Sequence, residues 1–255
     1  MAPLPTADLT TLHRADGSAT YTHLSHTIIG SVNGPIEVQR RDELPSSATL
    51  EVNIRPAGGV GTPRERHLET LVHDTLRSVV LVEKIPRTLV QVTLQVRSLP
   101  EEESGGADSS TTASSLTLLP HLLHTSLLAL LSASIPLRTT LTSTVVAIPR
   151  DGQGMLVSPT ANELLRRRPM RSIHVFAFDG EGKLLLNESE GEFGVEEWDE
   201  ACEMAEEVCC KGDGGVGLGE GMDVDGEGQA QSLEAWLRGV VGRKVEVEQR
   251  WRVAT

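Results

Sequence analysis

One stretch of this chain, residues 116–137, constrains the fold more than any other. Leucines recur there at helical spacing, small residues lie between them, and apolar side chains cover most of the helix circumference. The pattern therefore predicts a buried core helix with sheet packed against it. Pro120 is compatible with the first turn, and Pro136 is predicted to end the helix. The run is too short and too polar to span a membrane, so we expect no membrane partner.

Composition limits the chemistry of the core and indicates the compartment. The chain has 255 residues, of which 38% are hydrophobic and only 3% aromatic, so the core must consist mainly of Leu, Val, Ile and Ala. Residues 1–11 lack the basic start and apolar run of a signal peptide. Cys202, Cys209 and Cys210 are an odd number of cysteines, two of them adjacent. This poor disulfide framework indicates a reducing compartment.

The net charge of −13 is unevenly distributed along the chain. Residues 188–230 carry fifteen acidic side chains against one lysine, so the rest of the chain is close to neutral. A nearly neutral body can carry basic patches, and nucleic-acid binding is therefore not excluded.

The remaining patterns predict a mixed α+β fold. Strands are predicted on both sides of the core helix, and Thr62 and Pro63 have the residue types of a helix N-cap and first helical position. The element order favours two similar βαβ-type halves. The predicted organisation is a flexible N-terminus (1–11), one domain (12–210) with a flexible loop (101–115), a disordered acidic Gly-rich insertion (211–230), and a C-terminal helix and tail (231–255), of which 245–253 is either strand or helix.

Several short segments carry a family resemblance through their order and spacing. They are residues 12–19, 31–37, 64–69, 85–87, the core helix through 135–137, and 158–160. Over about residues 12–207 the chain resembles the RNase PH domains of the eukaryotic RNA exosome core.

The resemblance implies a fold, partners and locations. The fold is a ribosomal protein S5 domain 2-like two-layer sandwich. The implied assembly is a six-membered ring of RNase PH-like subunits, capped by S1/KH-type RNA-binding subunits, with a hydrolytic nuclease below the ring. RNA passes through this ring, and the implied locations are the nucleus, nucleolus and cytoplasm.

The resemblance also identifies where catalytic groups would lie. Active family members cleave RNA 3′ ends with inorganic phosphate, which requires cations around the phosphate and carboxylates for metal binding or proton transfer. Their Gly-Gly-Thr-Arg segment corresponds to residues 115–118, with Leu118 at the arginine position. Their two acidic positions correspond to Ser158 and Leu164, and the adjacent Glu163 would point about 100° away on a helix. We therefore expect no catalytic residue, no cofactor and no phosphorolysis.

The expected function is that of a non-catalytic structural subunit that shapes the RNA passage and supports 3′–5′ processing and degradation of RNA, ribosomal RNA included. Two alternatives remain open. An unrecognised anion site would make the chain an active phosphate-dependent 3′–5′ exoribonuclease. A shared fold without shared assembly would make it an unrelated adaptor.

Arg64 and Arg66 are the first candidates for RNA contact. They follow a glycine-rich loop at a predicted helix N-terminus, where backbone N–H groups and the helix dipole favour anions. The resemblance implies RNA contact by arginines of this region. The alternative is a salt bridge to Glu65 or Glu69, or a subunit contact.

A second candidate is the densest basic cluster of the chain, which consists of Arg166, Arg167, Arg168 and Arg171. Phosphate contact by the first three is possible, but a subunit interface or a solvated face is the favoured interpretation. No aromatic residue is interleaved, so base stacking is not expected there.

Two groups of potential metal ligands are interpreted as structural. His121 and His124 are three residues apart on the core helix, but no Cys, Asp or Glu accompanies them there. Cys202 and Cys209 lack a paired C-x-x-C motif. Packed histidines and reduced thiols are therefore favoured, and we expect no metal site.

Overall fold

The computed structural model describes residues 4–98, 113–150, 154–167, 169–211 and 232–253. Most of the predicted loop and acidic insertion, and Arg168, lie outside these ranges.

The first sheet consists of β1 (Thr6–Leu9), β2 (Gly17–His23), β3 (His26–Glu37), β4 (Thr49–Arg55) and β5 (Thr88–Ser98). The second consists of β6 (Leu141–Pro149), β7 (Leu156–Val157), β8 (Met170–Asp179) and β9 (Leu184–Gly191). The helices are α1 (Pro63–Val79), α2 (Ala113–Ser132), α3 (Ala161–Arg166), α4 (Val195–Glu206), α5 (Leu233–Glu248) and α6 (Arg250–Val253).

The sheet topology confirms the α+β fold class but not two similar halves. The first sheet has the order β1-β2-β3-β5-β4, and its β4 and β5 are parallel strands joined through α1. The second has the order β7-β6-β8-β9, and its pairs within the described ranges are all antiparallel. The prediction of a second βαβ unit is therefore wrong there, because β6 and β8 pair antiparallel although α3 lies between them in the chain, and β8 and β9 are joined by a short hairpin.

Helix α2 lies between the two sheets, as its leucine pattern predicted. It contacts β2 and β3 on one side and β6 and β8 on the other, so residues 116–130 are all buried. The helix starts at Ala113, however, so Pro120 lies inside it and not in its first turn. This proline lacks the N–H that would bond the Leu116 carbonyl. No helix in the described ranges is long and apolar enough to cross a membrane.

The two sheets differ in how many faces they bury. Strands β3, β4 and β5 alternate between buried and more exposed residues, because only one face of their sheet packs on α1 and α2. Strand β6 is buried at every position. Its sheet faces α2 on one side, and on the other Val146, Phe176 and Phe178 pack with Ala201 and Ala205 of α4. A doubly covered sheet explains why this strand is buried at every position, its polar residues included.

Both ends of the described chain join the core. Residues 6–9, within the segment that was predicted to be a flexible N-terminus, form β1 and pair with β2. Helix α5 extends to Glu248, and residues 245–253, left open as strand or helix, are mainly helical. Trp236 and Leu237 of α5 enter the main core cluster.

Gly17 marks the closest approach of the first sheet to α2 and gives a test of this packing. An added Cβ would meet the Ala133 amide nitrogen and would lie 2.5 Å from the Ala129 carbonyl oxygen, and backbone atoms cannot rotate away. We predict that Gly17→Ala lowers the free energy of unfolding by about 3 kcal/mol in urea titrations. Gly239→Ala is the matched control, since its Cβ meets no atom within 4 Å on a helix and should raise stability by about 1 kcal/mol. Equal stability of Gly17→Ala and the native chain would contradict the described packing.

Candidate functional site

A pocket lies beside the N-terminal half of α2, between elements of the two sheets. Its walls come from the β2–β3 hairpin, α2, β6 and the segment that enters α3. The pocket has a volume of about 30 Å³, and a site of that size holds roughly one or two water molecules.

The structure brings together most of the positions that the family resemblance identified. Thr117, Ser158 and Leu164 all line the pocket. Leu118, predicted at the arginine position, is instead buried in the main core cluster, and His121, one turn after Thr117, lies on the pocket wall. Leu118 therefore does not line the pocket and Thr117 does, because successive helical residues point about 100° apart.

Ser158 and Leu164 provide neither charge nor a free carboxylate. The Ser158 hydroxyl lies 2.8 Å from the Thr144 hydroxyl oxygen, and its backbone N–H donates to the Val145 carbonyl. Leu164 packs against the main core cluster. Ser158 also has a φ of +48°, a left-handed conformation that is uncommon for serine and often occurs at functional sites.

Glu163, the nearest carboxylate in sequence, points away from the pocket. It is exposed, and its carboxylate accepts hydrogen bonds from the Thr160 backbone N–H at 2.8 Å and the Thr160 hydroxyl at 2.9 Å. These bonds form a capping box at the start of α3. The Thr160 backbone bond holds the pKa of Glu163 below its usual range, so the group is an ionised helix cap.

Four histidines and one tyrosine dominate the pocket wall. The His26 and His121 rings stack with centroids 4.5 Å apart, and His23 meets His121 edge-on at 5.3 Å. The ring of Tyr21 lies 5.6 Å from that of His124. The pocket is therefore lined largely by flat, closely packed polar rings.

His124 connects the two sheets through α2. The Ser143 backbone N–H in β6 donates to its Nε2 at 3.0 Å, so this nitrogen must carry a lone pair. The proton is then on Nδ1, which lies 3.2 Å from the Tyr21 hydroxyl in β2 and donates to it. Burial lowers the pKa of His124 to about 3, so its neutral form is the one present near neutral pH.

His121 is also neutral near neutral pH. Burial and the neighbouring histidines hold its pKa well below the usual value, and its Nδ1 is buried with no hydrogen-bond partner among the described groups. Within the described ranges no three His, Cys, Asp or Glu side chains are arranged to share a metal ion. The stacking of His26 on His121 explains why these two do not, since their ring nitrogens direct lone pairs within parallel planes.

The pocket wall contains no Asp, Glu, Lys or Arg among the described residues. A dianionic phosphate in such a site would meet hydroxyls and four imidazoles, of which those of His121 and His124 are neutral, with no lysine or arginine of the described wall to offset its desolvation. The arrangement suits bound water better than phosphate.

His23 and His26 are the site residues that the sequence did not single out. They pair across a two-residue turn in which Leu24 and Ser25 have φ values of +49° and +69°, the pattern of a type I′ turn. Such turns usually contain Asn or Gly, so neither the turn nor the proximity to α2 was signalled locally. Only the tertiary packing brings this hairpin to His121.

The candidate RNA-binding arginines of α1 lie at its N-terminus, as predicted, and one of them is paired. Arg66 forms a salt bridge of 2.8 Å to Glu69, whose other oxygen accepts the Ile54 backbone N–H. This confirms the salt bridge that was the alternative to RNA contact. Arg64 is exposed, and its backbone N–H donates to the Thr62 hydroxyl, which caps the helix.

The second basic cluster is spread over the end of α3 and the start of β8. Arg166 is exposed, and Arg167 is half-buried. Arg171 pairs with Glu197 of α4 at 2.5 Å. The structure thus adds an ion pair to this cluster, and RNA contact by either group of arginines stays a prediction.

The cysteines are free thiols in different environments. Cys209 is buried against the second sheet, and burial raises the pKa of its thiol. Burial also raises the pKa of Cys210, to about 11. Neither thiol is therefore ionised near neutral pH.

The two neutral histidines predict a pH dependence of stability. Their pKa values are lowered in the folded protein, so as the pH falls through about 6.5 the unfolded chain takes up protons first and the folded state loses stability. Between about pH 7.5 and about pH 5.5 we expect a loss of roughly 1–3 kcal/mol from this pair in urea titrations. His121→Gln should remove about half of that loss. His13→Gln, at an exposed position, is the control and should leave the pH-dependent loss of stability unchanged. If His121→Gln also left that loss unchanged, the result would contradict the assignment of a neutral His121.

Comparisons with known proteins agree with this fold. The sequence profile of the 3′ exoribonuclease family (RNase PH), domain 1, matches residues 6–136. The "Exosome complex component RRP46" of Saccharomyces cerevisiae is 32% identical over 209 residues, which are 80% of this chain and 89% of that protein. The "Exosome complex exonuclease RRP46 homolog" of Oryza sativa subsp. japonica is 30% identical over 60% of this chain and 58% of that protein. The crystal structure of rice Rrp46 superposes with a TM-score of 0.65 at 24% identity, and covers 80% of this chain and 87% of that one. The chain belongs to the RNase PH family of 3′ exoribonuclease-type domains.

Proposed function

We propose that this chain is a non-catalytic structural subunit of an RNA exosome core ring, where it helps to form the RNA passage and supports 3′–5′ RNA processing and degradation. The observation that carries the proposal is the pocket at α2, whose described walls hold neither a cation nor a carboxylate. The yeast relative, which is named as an exosome component and is matched over most of its length, supports the assembly part.

The proposed partners are other RNase PH-like subunits in a six-membered ring, S1/KH-type cap subunits, a hydrolytic nuclease below the ring, and RNA. The proposed locations are the nucleus, nucleolus and cytoplasm, which agree with three free cysteines among the described residues. In this assembly the chain contributes a rigid wall, because α2 is packed between two sheets and has little freedom to move.

The number of charged groups that the pocket lacks supports the proposed absence of phosphorolysis. Loss of a single preorganised donor from a charged transition state costs about 10²–10³ in rate. Here the arginine position is the buried Leu118, and the two acidic positions are Ser158 and Leu164. Neutral imidazoles do not replace a guanidinium, and an exposed helix-capping Glu163 does not replace a carboxylate within the pocket.

A second candidate function is phosphate-dependent 3′–5′ exoribonuclease activity. One observation favours it: the rice relative is named as an exosome complex exonuclease. Within the pocket only hydroxyl and imidazole groups, chiefly those of Thr117, Ser158 and His121, could serve such an activity.

Phosphorolysis can be tested directly with the purified full chain. We predict that single-stranded RNA, inorganic phosphate and magnesium yield nucleoside diphosphates at least about 10³-fold more slowly than with an active RNase PH protein. Ser158→Ala separates the chain's own activity from contamination, since only a genuine pocket activity would respond to it. Release of nucleoside diphosphates that falls in Ser158→Ala would establish the second candidate function.

The prediction of RNA contact at α1 is tested in the reconstituted ring. Arg64 is exposed and is expected to touch a phosphate, so Arg64→Ala should weaken RNA binding and lower the slope of log affinity against log salt by about 1. Arg77→Ala is the matched control, because Arg77 is exposed at the opposite end of the same helix. Equal salt slopes for the native ring and Arg64→Ala would rule out this contact.

A further inference from the structure

The outer edge of the first sheet and the C-terminal helices form a surface that the proposed function does not use. Strand β1 is the last strand of its sheet, and β2 is its one hydrogen-bonded neighbour among the described strands. Helix α5 runs beside it, and the two elements line a groove of about 470 Å³. We call this surface the β1–α5 groove.

The backbone register shows which groups of β1 point into the open. The Thr10 N–H donates to the Ser18 carbonyl at 2.8 Å, so these two opposite residues form a hydrogen-bonded pair. Antiparallel pairs alternate between bonded and non-bonded, which places Ala7 and Leu9 in non-bonded pairs with β2. Their N–H and C=O groups therefore point to the free edge of the sheet, where they can form hydrogen bonds to a further strand.

The helix wall of the groove carries an apolar stripe that the sheet does not cover. Val240 and Val247 of α5 lie seven residues apart on one helical face, and both line the groove. Val240 is 4% exposed, whereas Val247 is 55% exposed. Helix α5 thus extends beyond the last strand, and one further strand beside β1 would place side chains over Val247.

The charges of the groove discriminate between kinds of partner. Lys244 is already bound to Thr10, Ser132 and Glu248. Arg243 is exposed on the wall and makes no ion pair to any described residue, so it is available to a carboxylate. The carboxylates of Asp8 and Glu248 on the same walls oppose a polyanion such as RNA.

We propose that the β1–α5 groove binds an extended segment of a partner protein, which adds a strand to the edge of β1. The backbone groups of Ala7 and Leu9 would supply the main-chain hydrogen bonds. An apolar side chain of the segment would cover Val247, and an acidic side chain would pair with Arg243. This inference is independent of the proposed ring function and of the pocket at α2.

The test uses the full chain and a short fluorescein-labelled synthetic peptide that alternates valine with threonine and carries one glutamate. We expect saturable binding by fluorescence anisotropy, weakened at least about tenfold by Ala7→Pro, which removes an outward N–H without removing a bond to β2. Val247→Asp should weaken binding similarly. Val195→Asp is its matched control, since Val195 is 78% exposed at the start of α4, away from the groove.

A charge exchange keeps the test decisive if Ala7→Pro disturbs folding. Arg243→Glu should weaken the glutamate peptide about tenfold and should strengthen a peptide with lysine in place of glutamate. Absence of saturable peptide binding to the native chain, or equal affinity in the groove variants, would overturn the proposal. Binding of an oligouridine probe that Arg243→Glu abolishes and that excludes the peptide would also overturn it and would assign the groove to nucleic acid.

Discussion

The structure depends on one constraint: a helix with no solvent-facing side must satisfy its polar groups within the protein. Helix α2 meets most of this constraint by contacting both sheets, with the buried Nδ1 of His121 as an exception among the described groups. Its Thr125 and Ser126 hydroxyls donate to carbonyls of the same helix, and His124 bonds to Tyr21 in one sheet and Ser143 in the other. The same bonds that join the two halves require a neutral imidazole, so the architecture and the protonation state of the pocket have a common origin.

Under the proposed function, the pocket beside this helix keeps the family fold without the charged groups of an active member. The two positions that the resemblance aligns with acidic residues of active relatives carry a hydroxyl and an apolar side chain, and the neighbouring Glu163 stabilises its own helix. His26 stacks on His121 in the wall, and the neutral imidazole of His121 neutralises no anion. Stability and catalysis make opposite demands on such a site, since fixed buried charges are costly without a ligand.

Much of the fold followed from periodicity, because burial imposes a repeat on helices and strands. The leucine pattern of α2 predicted a buried helix for that reason, and the residue types of Thr62 and Pro63 predicted the start of α1. The site could be predicted only in part from the sequence. One residue along a helix rotates a side chain by about 100°, so resemblance alone could not distinguish Leu118 in the core from Thr117 on the wall. The meeting of His26 with α2 depends on tertiary packing, which no local pattern records.

The central claim is that the pocket at α2 has no affinity for phosphate, and titration of inorganic phosphate with the native chain, followed by ³¹P NMR line width, tests it most directly. At neutral pH the account predicts no saturable broadening, because the described wall has no fixed cation and two of its imidazoles, His121 and His124, are uncharged. Saturable broadening that Ser158→Ala or His121→Gln abolishes would contradict it.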